Sequence, residues 1–265
     1  MPIVTLISDL GTKDYYLAAV KGAILSISPA TTIVDISHDI PPFDTFQAAF
    51  NLKNAFPHFP EGSIHIIGVD ASGSQGARNL AIVYRNHIFL GTDNGIFSMI
   101  FEEEPQLMVE IQLGTEDNNF IFPLLDILAK AAGFVANGGN VEILGPKVKG
   151  LIEKNIFNPV VTGSEIRGTV IYVDGYGNVF TNITRRIFDE ARELRNYAIY
   201  FTAANQPIRR ISTHYDEVPE GERLALFSSS GYLQIAINKG VRGFGGGASQ
   251  LFGLKLNHTI RIEFE

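Results

Sequence analysis

The chain has 265 residues, 45% of them hydrophobic and 18% charged, with a formal net charge of −7. That balance describes a globular protein of one or two domains, and the negative charge argues against nucleic acid as the main partner while suiting a cationic small molecule. With no cysteine, disulfides, thiolate metal sites and a cysteine nucleophile are excluded; no apolar run reaches the roughly 18 residues of a membrane helix, and the opening MPIVTLISDLG reads as a strand and not a signal peptide, so a cytoplasmic location is expected.

In chain order, PIVTLIS reads as a buried strand, and DYYLAAVKGAILSI as a helix with Tyr16, Ala19, Ile24 and Leu25 facing the core. TTIVDIS is a second strand, and FDTFQAAFNLKNAF a second helix capped by Asp44. SIHIIGVD is a third strand ending at Asp70. LAIVY and HIFLGT, separated by RN, form a hairpin. NGIFSMIF is a short helix, and LLDILAKAAGFVANG a longer one stopped by Gly138 and Gly139. This alternation predicts a three-layer α/β domain over residues 1–150 with a mostly parallel sheet.

From residue 151 the pattern changes. RGTVIYVDGYGNVFTNI, NYAIYF, RLALFSSSGYLQIAIN and HTIRIEF are short strands with Gly-, Asn- and Ser-rich turns, interrupted by one helix, TRRIFDEARELR. Residues 151–265 are therefore expected to form a smaller antiparallel, barrel-like β domain. The boundary falls in GPKVKGLIEKNIFNPVVTG. The glycine-rich KGVRGFGGGASQLFG reads as a mobile loop.

In an open parallel sheet, ligands bind beyond the carboxyl ends of the strands. Asp9 and Asp70 stand at such ends, and a carboxylate there is able to accept hydrogen bonds from a ribose diol. Asp14 is placed either for a ligand or as a cap of the following helix. GVDASGSQGARN is not a P-loop, since it lacks a Lys-Ser/Thr pair and leads into a strand. The six histidines show no paired ligand spacing, His65 and His87 read as core or sheet-face residues, and no metal is expected. No G-x-S-x-G or Ser-His-Asp pattern appears. DGYGNVFTN places Asp174, Tyr176 and Asn178 on one tight turn, which is equally ordinary hairpin chemistry; FSSSGYL is similarly ambiguous.

Taken together, SDLGTKDYY, VDISHDIPPFD, FPEGSIHIIGVD, GTDNGIFS, FNP, VDGYGNVFTNI and SSSGYLQIAIN resemble, in order and spacing and over nearly the whole chain, the S-adenosyl-L-methionine (SAM) hydroxide adenosyltransferase family, to which the fluorinase and chlorinase are related. The resemblance implies SAM as substrate, with no further cofactor, and a homotrimer with each site between the N-terminal domain of one subunit and the C-terminal domain of the next. It implies that Asp9 grips the ribose hydroxyls, that Asp14 pairs with the methionine ammonium, and that Phe43 lies against the ligand. Asn158 resembles the ribose-side amide, Asp174 and Ser229 the methionine-end contacts, and Tyr176, Asn178 and Tyr215 the walls around adenine; Ser230 is a further substrate-binding candidate.

The implied chemistry is displacement at the ribose C5′ carbon with neutral methionine leaving, so the enzyme has to supply an aligned, desolvated nucleophile. Hydrolytic members use an Asp-Arg-His set to prepare water; halogenating members lack it and bind a halide. Asp70 matches the acid. The family's DPGVG-x-x-RR pattern would place the key Arg at position 77, which is Ala77, and Arg78 matches the second Arg. The family's T-F-H-G-R-D pattern aligns with IFPLLD, so Pro123 and Leu124 replace the His and Gly while Asp126 is kept. The expected activity is hydrolysis of SAM to adenosine and L-methionine, with Asp70 as base and Arg78 moved into the missing role. The alternatives are a catalytically weakened SAM- or adenosine-binding protein, or substitution with another nucleophile or nucleoside substrate.

Overall fold

The computed structural model describes residues 1–72, 77–112, 121–154, 158–201, 207–240 and 246–265. Phe157 of the FNP segment, residues 73–76 of the Gly/Ser-rich stretch and residues 241–245 of the glycine-rich segment lie outside them. The chain folds as two units, Met1–Asn155 and Ile156–Glu265. Residues 151–154, read from sequence as the start of the second domain, thus belong to the first unit.

Unit 1 runs β1 (Ile3–Ser8), α1 (Tyr16–Ile27), β2 (Thr32–Ser37), α2 (Thr45–Ala55), β3 (Ile64–Gly68), β4 (Asn79–Tyr84), β5 (His87–Thr92), α3 (Ile96–Ile100) and β6 (Leu107–Glu110), then a π-helical turn, Leu124–Leu128, leading into α4 (Ala129–Ala136). The sheet order is β2-β1-β3-β5-β4-β6. The three pairings from β2 to β5 are parallel, and those of β4 with β5 and β6 are antiparallel. The sheet is therefore mixed, with three of its five pairings parallel and an antiparallel edge. The cause is local: Arg85 (φ 48°) and Asn86 (φ 60°) both adopt the left-handed conformation of a tight hairpin turn and reverse the chain between β4 and β5. The short strand β6 is missing from the sequence reading because acidic residues and a proline precede its few apolar positions.

Strand alternation splits the apolar side chains between two cores. Val4, Leu6, Ile64, Ile66 and Leu90 face α1 and α4. Ile7, Ile67, Phe89, Leu80 and Ile82 face α2 and α3. This is the expected three-layer arrangement. Asp44 caps α2 as anticipated, accepting the Gln47 N–H at 2.9 Å.

The inward face of α1 differs from the sequence reading. Leu17, Val20 and Ile24 are buried, whereas Tyr16 and Leu25 are 40% and 39% exposed and Ala19 is half-buried. Apolar residues occur on more than one side of this helix, so periodicity alone leaves its rotation open. Packing fixes it: Gly133 of α4 brings its backbone against Ile27 and Ile24.

His65 and His87, without any ligand-like spacing in sequence, meet across β3 and β5. His65 Nε2 lies 3.1 Å from His87 Nδ1, and Thr5 Oγ1 lies 2.7 Å from His65 Nδ1. Phe56, Phe59 and Phe89 surround the pair. Burial holds His65 down to about 3, with the neighbouring His87 adding to the effect, and burial lowers His87 as well.

Unit 2 contains β7 (Val160–Val161), β8 (Glu165–Val173), β9 (Val179–Thr184), α5 (Arg185–Arg192), β10 (Tyr197–Tyr200), β11 (Ile211–Ser212), β12 (Arg223–Phe227), β13 (Tyr232–Ile237), α6 (Ala248–Leu251) and β14 (Thr259–Phe264). The sheet order is β10-β14-β8-β9-β13-β12-β11, with β7 on β8. All pairings are antiparallel except β11 with β12. Register shifts in β8–β9 and β9–β13 bend the strands, and the sheet curls around Ile166, Val170, Ile183, Phe188, Ile235 and Ile262. Paired hydrogen bonds between Ile199 and Ile208 join β10 to the segment that leads into β11.

Candidate active site

The carboxyl ends of β1, β2, β3 and β5 deliver four loops to one edge of unit 1. Asp9, one residue past β1, sits at their junction. Its Oδ2 accepts the backbone N–H of Phe43 at 2.9 Å and that of Asp70 at 3.3 Å. Three candidates from separate parts of the sequence thus converge on one oxygen. Both donors have left-handed backbones, Phe43 at φ 65° and Asp70 at φ 50°. Such a conformation is strained for a residue with a Cβ and persists only where the surroundings impose it. Here the charged acceptor imposes it twice, with charge-assisted hydrogen bonds. Among the described residues, Oδ1 accepts no hydrogen bond.

The Asp70 turn is also held from β5. Asn94 Nδ2 donates to Val69 O at 3.2 Å and Asp70 O at 3.1 Å, and Thr92 Oγ1 donates to Ala71 O at 2.8 Å. Among the described residues, the Asp70 carboxylate itself makes no hydrogen bond. It is half-buried and free to accept from water. Leu10 and Ala71, which follow Asp9 and Asp70, pack with Phe122 and Leu125 against the α1–α4 core.

A polar chain running from buried Ser8 and His38 out to exposed Asp35 and half-buried Lys21 braces the neighbouring loop. Ser8 Oγ lies 2.7 Å from His38 Nδ1, His38 Nε2 lies 3.1 Å from Asp35 Oδ1, and Lys21 Nζ donates to Asp35 Oδ2 at 2.6 Å. Burial pushes the Asp35 carboxyl up, but the hydrogen bond from Lys21 and the close contact with His38 outweigh it and leave it lowered. The sequence reading missed this Ser-His-Asp set because its members lie on two strands. Ser8 is fully buried, so the set supports the strand ends and presents no exposed nucleophile.

Asp14 is exposed and does not cap α1, whose first turn has no side-chain cap. It lies near Tyr16, whose hydroxyl is raised first by Tyr15 and also by Asp14. Tyr16 packs edge-on against Phe122 at 5.6 Å. Phe43 is 68% exposed. Pro123 opens the π-helical turn, and the buried Leu124 lies against Gly68 so closely that a Cβ on Gly68 would overlap its methyl group. Asp126 accepts the Phe122 N–H at 3.2 Å. Arg78 Nη2 is engaged by Asp93 at 2.7 Å and by Gly150 O at 2.9 Å.

In unit 2, Asp174 organises the β8–β9 turn. Its Oδ1 accepts from Tyr176 N at 2.9 Å and Asn178 N at 2.8 Å, and its Oδ2 from Asn178 Nδ2 at 2.9 Å. Tyr176 is thereby presented 64% exposed, while Asn178 is buried. Tyr215 donates to Gln234 Oε1 at 2.9 Å; burial raises its hydroxyl, and the charge of Asp174 adds to this. These residues share one neighbourhood. Ser229 and Ser230 do not: their turn abuts the other end of β9, where Arg185 N donates to Gly231 O at 2.8 Å. Ser230 Oγ pairs with Ser228 Oγ at 2.8 Å. Ser229 and Asn158 are exposed. Among the described residues, no group of three or more His, Asp or Glu is placed to hold a metal ion, and no helix is long and apolar enough to cross a membrane.

Residues 4–145 match the SAM hydroxide adenosyltransferase N-terminal domain, and residues 168–261 match the corresponding C-terminal domain. The chain is 30% identical over 270 residues to an (R)-S-adenosyl-L-methionine hydrolase of Thermus thermophilus, covering 98% of each chain. It is 23% identical over 273 residues to a fluorinase of an Actinoplanes species, covering 89% of this chain and 91% of that protein. A crystal structure of an uncharacterized conserved protein from Thermotoga maritima superimposes with a TM-score of 0.86 at 27% identity, covering 98% of this chain and 99% of that one.

Proposed function

The chain belongs to the SAM hydroxide adenosyltransferase family, and from that membership we propose that it is a hydrolase converting SAM to adenosine and L-methionine. The observation that carries the reading furthest into the site is the convergence of Phe43 and Asp70 on the Asp9 carboxylate. It joins a ribose-type acceptor, an exposed aromatic face and a second carboxylate at one edge of the sheet.

In the reaction, water attacks C5′ of the ribose as the C5′–S bond breaks. The bonding pair moves to sulfur, which leaves as the neutral thioether of methionine and needs no acid. The proton of the attacking water passes to Asp70. Asp9 Oδ1 receives the ribose hydroxyls, and Phe43 and Tyr176 offer aromatic faces to the ligand. Asp14 supplies negative charge for the methionine ammonium, Asn158, Asp174, Asn178 and Tyr215 complete the binding set, and Ser229 and Ser230 reach the ligand from the other end of β9. SAM is the substrate, and no further cofactor is required.

We place the complete site in a homotrimer, with the first domain of one subunit and the second domain of the next sharing the ligand. The 68% and 64% exposure of Phe43 and Tyr176 supports this reading, since ligand-stacking aromatics gain by being covered. Incubating the pure protein with SAM tests the function. Adenosine and methionine appearing in equal amounts is the expected result; unchanged SAM would favour a binding protein.

A further inference from the structure

Arg78 stands one residue after the position where the family carries its water-handling Arg, yet its guanidinium points into a different network. Its Nη2 contacts Asp93 Oδ2 at 2.7 Å, and Asp93 is only 1% exposed. The same nitrogen donates to Gly150 O at 2.9 Å, while Asp93 Oδ1 accepts the N–H of Ile152 at 3.0 Å. Asp93 N donates back to Arg78 O at 2.8 Å. Two residues on, Lys154 N donates to Ser98 Oγ at 2.9 Å, and Lys154 Nζ to Thr45 Oγ1 at 3.0 Å. The Lys154 side chain covers Gly95, whose φ of 94° and missing Cβ make room for it. The segment 150–154, the last described stretch of unit 1, is therefore fastened to the loop after β5 at Asp93 and Gly95, to α3 at Ser98 and to α2 at Thr45.

That loop is also the one that shapes the Asp70 turn. Thr92 binds Ala71 O, and Asn94 binds the carbonyls of Val69 and Asp70. The alternation Thr92, Asp93, Asn94 sends the outer two side chains to the Asp70 turn and the middle one to Arg78 and segment 150–154. Movement of the segment pulls on Asp93, and through two peptide links it moves the groups that hold Asp70.

We propose that Arg78 and Asp93 are positioning residues: they latch segment 150–154 to the loop that sets the geometry of Asp70, and Arg78 does not handle water itself. The inference rests on Asp70 being the base, as proposed above.

The test uses Arg78→Gln and Arg78→Lys in the full-length protein, with two readouts. Amide hydrogen exchange follows Ile152, Lys154 and the pair Asp70–Ala71; SAM turnover gives kcat, KM and their pH profiles. Arg78 is partly exposed, so neither variant is expected to unfold the chain. For Arg78→Gln the latch predicts faster exchange both in the segment and at Asp70–Ala71. It also predicts a fall in kcat of about tenfold to a hundredfold, with KM within about twofold and the apparent pKa of the profile unchanged. Arg78→Lys, which keeps a cation near Asp93, should recover part of both effects. Faster exchange in the segment with no change at Asp70–Ala71 would overturn the coupling. A shifted pH profile in Arg78→Gln would assign Arg78 to the attacking water instead. If the wild type forms no adenosine, the hydrolase reading fails, and the exchange experiment still decides the latch.

Discussion

Asp9 Oδ2 accepts the backbone N–H of Asp70 at 3.3 Å while holding Phe43 N at 2.9 Å. One carboxylate oxygen therefore ties the end of β1 to two loops in strained backbone conformations, and the other is the one proposed to receive the ribose. Asp9→Ala should do two things at once. It should weaken adenosine binding by roughly tenfold to a hundredfold, the loss of a charged acceptor worth about 1.5–3 kcal/mol. It should also lower Tm by several degrees, because two amides lose their partner at positive φ. Calorimetry with adenosine and a thermal melt measure the two effects. Unchanged affinity would remove Asp9 from the site.

The strain itself predicts an asymmetry at Phe43. Phe43→Gly relieves a φ of 65° and should leave stability unchanged or raise it by up to about 1 kcal/mol, despite removing a large side chain. The same variant should bind adenosine more weakly, since the exposed ring is lost. A ring that serves the fold would give the opposite pattern in a melt and a titration: lower Tm and unaltered binding.

The buried histidine pair sets an acid limit on stability. His65 is held neutral in the folded protein, with its pKa lowered to about 3 from an ordinary value near 6.5, and His87 is lowered too. Stability from this pair is fully present above about pH 6.5 and is lost as pH falls toward 3, at up to about 1.4 kcal/mol per pH unit for each histidine that must charge on unfolding. Chemical melts of wild type and His65→Gln between pH 4 and 7 should show a shallower slope in the variant. Parallel slopes would show that other groups govern the acid limit.

Much of this molecule was legible in its sequence, and apart from the short strand β6 the failures share a cause. Strand and helix order, the Asp44 cap, the Arg85–Asn86 hairpin and the two-domain plan follow from local patterns of apolar residues and turn formers. The face of α1, the pairing of His65 with His87, the Ser8–His38–Asp35 chain and the attachment of Arg78 to Asp93 depend on residues brought together across strands. No spacing along the chain encodes them. The candidate site was read from motifs, but the motifs carried no sign that Asp9 fixes the backbone of Phe43 and Asp70, because a backbone donor leaves no mark on residue type.

Ala77 and Pro123 replace the positive groups that hydrolytic relatives are expected to use. Water near C5′ therefore keeps a high pKa, and turnover should be slow and rise with pH. Ala77→Arg with Pro123→His should accelerate it. Leu124 should stay, because it fills the space against Gly68, and emptying a fully buried site of that size costs about 2–5 kcal/mol. A wild type as fast as the double variant would show that the missing pair was never needed.

The most direct measurement is turnover of SAM in ¹⁸O-labelled water, by wild type and by Asp70→Asn. Asparagine tolerates the φ of 50° at this position, so the turn should be kept while the base is lost. The account predicts that wild type yields methionine and adenosine carrying the label at the 5′ oxygen, and that Asp70→Asn still binds SAM but forms neither product. Adenosine without the label, or full activity in Asp70→Asn, would contradict it.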